Sequence, residues 1–177
     1  MIELRPFERS DSARLISWVK TPEFLLQWAG PAFSHPLDEL QLESHLQASE
    51  GSRPLRRIFK AVDTGTGSVV GHIELDRIDR HNRSATVSRV LVGEPAARGK
   101  GLGAEMVRQI LGIAFGELGL HRISLLVFDF NAAAIACYVN VGFIIEGRLR
   151  DARRSGDDYW SEYQMSILES EWRSRRT

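Results

Sequence analysis

A β-branched run, Ala85-Thr86-Val87-Ser88-Arg89-Val90-Leu91-Val92, leads into the loop Arg98-Gly99-Lys100-Gly101-Leu102-Gly103. Behind the loop, Leu102, Met106, Val107, Ile110, Leu111 and Ala114 recur at helical spacing. The chain must therefore pass from strand to helix through a turn built on alternating glycines. Such a turn leaves the first N–H groups of the helix without intrahelical partners, with the positive end of the helix dipole behind them. An anion, most simply a phosphate, suits that place. Glycine matters there because a Cβ would hold the phosphate away from the backbone.

Charge and composition narrow the classes. With 177 residues the chain suits a single domain, 1–177, with a sizeable core. Lys plus Arg and Asp plus Glu both number 23, so the net charge is zero with neutral histidines. That balance speaks against a nucleic-acid partner held by a uniformly basic surface. Cys137 is the only cysteine, which leaves no intrachain disulfide; in its apolar run it reads as a small buried residue. Met1–Pro6 has no signal-peptide core and no apolar run is long enough to cross a bilayer. The expectation is a soluble cytoplasmic protein with no membrane partner.

Strands are expected over 2–7, 57–62, 69–78 and 122–128, with another carrying Val90–Val92 and the last two over 143–148 and 159–167. Helices are expected from the Ser10–Ser12 cap to about Lys20, over a short segment Phe24–Trp28, and over 37–50, where Leu40, His45 and Leu46 fall at periodic positions. Two more follow, one from the glycine loop to Gly119 and one over 132–141 between Asn131 and Gly142. Helices come first, then an antiparallel meander, then a strand–helix–strand–helix–strand unit: one α+β domain.

Three signals fall in a fixed order. The glycine loop lacks the Gly-Lys-Ser/Thr ending that places a hydroxyl on magnesium, and no acidic residue follows it at the ribose position of a dinucleotide site. Asn131 follows the strand 122–128 and caps the next helix. Tyr138 lies seven residues on, about two turns later and so near the same face. Taken singly, a plain turn, a cap and a packed aromatic account for them.

Taken together they resemble the GNAT superfamily of acyl-CoA-dependent N-acyltransferases. Its signature, Arg/Gln-x-x-Gly-x-Gly/Ala after a splayed strand, is matched by Arg98–Gly103; its later Asn-x-Ala-Tyr pattern before Gly-Phe is matched by Asn131, Ala134, Tyr138 and Gly142-Phe143. The opening Leu4-Arg5-Pro6-Phe7 with Asp11 resembles the branch of ribosomal-protein N-terminal acetyltransferases. So does the ending, from Glu146-Gly147-Arg148 through Asp157-Asp158 and Met165 to Leu168 and Trp172. The resemblance covers essentially the whole chain. It implies a mixed, mostly antiparallel sheet of about seven strands flanked by helices. It also implies that the amides of Arg98, Gly99, Lys100, Gly101, Leu102 and Gly103 hold the pyrophosphate of acetyl-CoA, with charge added by Arg98 and Lys100. Val90, Leu91 and Val92 would pair with the pantetheine arm, an amide there would meet the thioester carbonyl, and Asn131 and Ala134 would border the arm. Tyr138 would protonate the departing thiolate after direct attack by a neutral amine.

One departure stands out. Many members of that branch carry a glutamate on the strand before the loop, where this chain has Ala85-Thr86-Val87-Ser88. An amine nucleophile must still lose a proton. Glu74 and Asp76, which share a strand face with His72, are the nearest carboxylates by topology, and Glu74 is named as the base. The other reading of that stripe is a solvent-facing edge. The acceptor is a primary amine: a protein N-terminus, which the branch favours, a polyamine, an amino sugar or an amino acid. Phe24, Trp28 and Phe33 are expected to border its cleft. The alternative is an acyl-CoA-binding regulatory module without turnover. His35, His45, His81 and His121 lack metal-ligand spacing, so no metal is expected. The arginines at 148, 150, 153, 154, 173, 175 and 176 read as solvated surface, Trp160 as core or subunit contact, and a homodimer is a family-level expectation.

Overall fold

In the computed structural model, residues 1–175 are described; Arg176, counted above with the basic tail, lies outside them. The strands are β1 (Ile2–Pro6), β2 (Arg57–Asp63), β3 (Val69–Asp79), β4 (Ser84–Val92), β5 (Arg122–Phe128), β6 (Ile144–Ser155) and β7 (Asp158–Leu168). They form one sheet of seven in the order β1-β2-β3-β4-β5-β7-β6. Every neighbouring pair is antiparallel except β4 and β5. That pair is parallel because a helical crossover joins it. The helices are α1 (Ser12–Trp18), α2 (Pro22–Ala29), α3 (Glu39–Gln47), α4 (Leu102–Leu111), α5 (Ala132–Val141) and α6 (Glu169–Ser174). This is the α+β fold with a mixed seven-stranded sheet that the sequence implied.

The apolar stripe of α4, Met106, Val107, Ile110 and Leu111, is buried against Ile73, Leu75, Val87, Ile123, Leu125 and Met165 on one face of the sheet. On the other face α1, α2 and α3 set Leu15, Val19, Leu25, Trp28 and Leu42 around Leu91. β4 changes faces partway. Ala85 and Val87 belong to the α4 side, but beyond Arg89 it is Val90 and Val92 that pack there and Leu91 that turns away. The register gives the cause: His72 pairs with Leu91 and Glu74 with Ser88, so β4 carries one residue more than β3 across that interval. Arg89, with φ of 50°, lies in that bulge. A bulge adds twist and reverses the alternation of side chains.

Several expected boundaries move for local reasons. α3 starts only at Glu39, where Asp38 accepts the Gln41 N–H at 2.9 Å, and it turns Leu42 and Leu46 inward while Leu40 is 80% exposed. β6 runs on to Ser155 because its ladder with β7 resumes at Arg153↔Trp160 and closes at Ser155↔Asp158. The short α6 had no counterpart among the expected elements; Glu171 caps it by accepting the Leu168 N–H at 2.8 Å.

Candidate active site

β4 and β5 pair only from Ser84↔Arg122 to Thr86↔Ser124. Beyond that they diverge into a cleft of about 900 Å³, lined among others by Val90, Leu91, Val92, Asn131, Ala134 and Tyr138. The β4 edge that faces β5 has no strand partner from Val87 onward. An extended ligand could add to it as a strand would.

At one end of the cleft stands the glycine loop. Gly99 and Gly101 have φ of 73° and 77°, left-handed values that glycine adopts without a Cβ penalty. Gly101 is the N-cap of α4, and among the described residues no hydrogen bond takes up the N–H groups of Gly99, Lys100, Gly101 and Leu102. Gly99, Gly101 and Gly103 line the cleft. The two cations differ in setting, and Arg98 lines the cleft. Arg98 donates from Nε to the Val92 carbonyl (3.0 Å) and from Nη2 to that of Gly93 (3.2 Å), so its guanidinium braces the loop against the end of β4. Lys100 is exposed, and Leu102 packs onto the core.

α5 supplies the opposite wall. Asn131 caps it by accepting the Ala134 N–H at 3.3 Å, which leaves the Asn131 amide NH2 unpartnered among the described residues. Tyr138 is buried, lines the cleft, and makes no hydrogen bond through its hydroxyl among the described residues. Burial pushes its phenol above the ordinary value, and burial also pushes up the neighbouring Cys137 thiol, which lines the same wall. Asn131 and Tyr138 thus face one space, as their spacing suggested.

His72, Glu74 and Asp76 do share a face, but β3 lies between β2 and β4 and all three are buried, so a solvent-facing edge is excluded. Glu74 is 1% exposed. Its carboxylate accepts from His45 Nε2 (2.9 Å), His72 Nε2 (3.0 Å) and Arg89 Nη1 (2.6 Å), with Arg56 Nε 3.7 Å away. Arg56 Nη1 donates to His45 Nδ1 at 2.9 Å, which fixes the tautomer that presents Nε2–H to Glu74. Burial alone would raise this carboxyl; the two histidine hydrogen bonds and the Arg89 charge overcome it and hold the group far below the usual carboxylate range. A carboxylate so engaged has little affinity for a proton. This geometry argues against the base role expected of Glu74.

Two cleft residues carried no signal in the sequence. Glu162, on β7 opposite Phe128 of β5, lines the cleft with a side chain 7% exposed. Its Oε2 is buried without a hydrogen bond, and Arg153 Nη2 stands 3.6 Å off. Burial raises the Glu162 carboxyl above its ordinary value, and the Arg153 charge only partly opposes this. Arg89, at the β4 bulge, is the second. Aromatic rings line the cleft as well: Phe24 and Trp28 border it, and Phe33 stacks on Trp28 at 6.1 Å between centroids. Among the described residues no group of three or more His, Cys, Asp or Glu side chains could hold a metal ion.

Residues 2–144 match the family model of the acetyltransferase (GNAT) domain. The spermidine N(1)-acetyltransferase of Vibrio cholerae is 26% identical over 98% of this chain and 96% of its own length. An L-amino acid N-acetyltransferase of Escherichia coli K12 is 28% identical over 75% of this chain and 77% of its own. The crystal structure of the Vibrio cholerae spermidine N-acetyltransferase in complex with CoA and spermine is similar at a TM-score of 0.83, with 26% identity and 97% of each chain covered.

Proposed function

This chain belongs to the GNAT acetyltransferase family and transfers acetyl from acetyl-CoA to an amine, and we propose that the transfer occurs in the β4–β5 cleft by direct attack on the thioester. The observation that carries the placement is one continuous line of unsatisfied groups. Among the described residues it runs from the free N–H groups of Gly99–Leu102, along the β4 edge at Val90–Val92, which has no strand partner although Arg98 holds the Val92 carbonyl, to the unpartnered Tyr138 hydroxyl.

In this reading the loop amides seat the pyrophosphate at the α4 N-terminus, and Arg98 holds the loop in shape while adding charge. The Val90–Val92 edge pairs with the pantetheine amides, and an N–H there donates to the carbonyl oxygen as negative charge grows on it. Asn131 donates its free amide to the arm, and Ala134 is small enough to let it pass. Tyr138 stays protonated because burial raises its phenol. The departing thiolate takes the Tyr138 proton as the C–S bond breaks. The amine enters past Phe24 and Trp28 and gives its proton to Glu162, which lines the cleft.

The named activities of these two relatives support a small-molecule amine over the protein N-terminus that the ribosomal-protein branch would imply. The open edge of β6, with Ile144, Ile145 and Leu149 exposed, supports the homodimer expected of the family. Incubating the protein with acetyl-CoA and a panel of amines while following free thiol tests the reading. Acetyl-CoA binding with no amine-dependent release would leave only a binding module.

A further inference from the structure

Arg89 uses only part of its guanidinium. Its side chain is 9% exposed, and Nη1 donates to Glu74 (2.6 Å), Asp76 (3.2 Å) and Ser88 Oγ (3.1 Å). Its Nε is buried without a partner, and among the described residues nothing bonds to Nη2 either. The Nε–Nη2 edge is the fork that receives a carboxylate bidentately. Arg89 lines the cleft, and its Cζ lies 5.7 Å from the centroid of the Phe33 ring. A buried donor left unmade is costly, and one kept beside the cleft favours a ligand that brings an acceptor to it.

Charge around this fork excludes a simple polycation pocket. Glu74 and Asp76 of β3 face it, but Arg56 and Arg89 pair with both, so two carboxylates meet two guanidinia. Glu162 is the remaining buried carboxylate of the cleft, and Arg153 stands beside it. A spermidine-like acceptor would bring two or more positive charges into a space whose negative charge is already matched.

We propose that the acceptor is an amine that also carries a carboxylate, of the amino-acid class: the carboxylate binds the Nε–Nη2 edge of Arg89 while the amine faces the thioester and Glu162. This rests on the acetyl-transfer reading and names the substrate class of the same site. In the reaction the nitrogen lone pair forms the N–C bond and the C–S bond breaks, its electron pair leaving with sulfur. Sulfur takes the Tyr138 proton, and the nitrogen's proton passes to Glu162. Exchange with water returns a proton to Tyr138 and removes one from Glu162.

The test compares kcat/KM, by thiol release, for L-amino acids against their amides and decarboxylated amines and against spermidine. A site built for the carboxylate should favour the acids by about a hundredfold or more. Arg89→Gln should lower the ratio of kcat/KM for an acid to that for its decarboxylated amine about a hundredfold, chiefly through the KM of the acid. Arg89→Lys, which keeps the charge and loses the fork, should restore only part of the preference. Spermidine or the decarboxylated amines used as well as the acids by the wild-type protein would overturn the proposal. Acetyl-CoA protection against heat checks that the variants fold, and the wild-type comparison decides the matter if they do not. Failure of the underlying acetyl-transfer reading has a separate signature: acetyl-CoA binds, and no amine of any kind releases thiol.

Discussion

Replacing Glu74 with glutamine separates a structural carboxylate from a catalytic one. The carboxylate is 1% exposed and gathers Arg89 at 2.6 Å, His45 at 2.9 Å and His72 at 3.0 Å. Removing one partner of a buried ion pair costs about 3–5 kcal/mol, because the other charge stays behind without compensation. Glutamine keeps one acceptor oxygen for a histidine, and Asp76 still holds both arginines, which places Glu74→Gln near the lower figure. In a domain of this size each kcal/mol moves Tm by about 2–4 °C, so the melting point should fall by about 6–12 °C. The acid limb should change as well. The folded-state pKa of Glu74 lies below its unfolded value, so its contribution is present above the ordinary glutamate value of 4.5 and is lost as pH falls below it. Wild-type stability should therefore drop more steeply in acid than that of the variant. Urea melts between neutral pH and pH 3, with thiol-release kinetics at neutral pH, read both effects. A base contributes about 10²–10⁴-fold to turnover. An unchanged melting point with a kcat loss of that size would refute the structural assignment.

Tyr138→Phe should cut kcat by about 10²–10⁴-fold with acetyl-CoA affinity nearly unchanged; normal turnover would remove the tyrosine from the acid's role. Glu162→Gln should lower kcat and abolish the rising acid limb of the pH–rate profile, a limb that lies above the ordinary carboxylate range because burial raises this group. The same variant should melt higher at neutral pH. A carboxyl whose folded pKa is raised favours folding while protonated, and that advantage is lost as pH rises through the folded value, so the neutral amide escapes the penalty. Gly101→Ala, at φ of 77°, should cost about 1–2 kcal/mol of stability and weaken acetyl-CoA binding, measurable by denaturation and titration calorimetry. Tight binding by that variant would detach the loop from the pyrophosphate.

What could be read from the chain was what is local. β5 and α5 fall at the expected 122–128 and 132–141, because an apolar strand run, an asparagine cap and a closing glycine sit within one short stretch. The glycine loop announced itself for the same reason. The setting of Glu74 was invisible, since His45, Arg56 and Arg89 reach it from α3, the segment before β2, and β4. Arg89 was hidden by a single extra residue, which reverses the strand's faces midway and makes its alternation misleading. Glu162 reaches the cleft only because β7 inserts between β5 and β6, an order that strand patterning does not reveal. Leu40 looked inward by period, but the Asp38 cap set the helix phase and turned Leu42 in instead.

The three residue pairs between β4 and β5 are the only ladder, among the described residues, that joins strands β1 to β4 with β5, β7 and β6. The proposed donor site lies where that ladder is missing. An arm that hydrogen-bonds to β4 while touching α5 works as a stitch across that gap. On the proposed reading, loading the donor also ties the two walls of the cleft together. The acceptor amine, Tyr138 and Glu162 then meet, on that reading, beside a gap that the donor itself bridges.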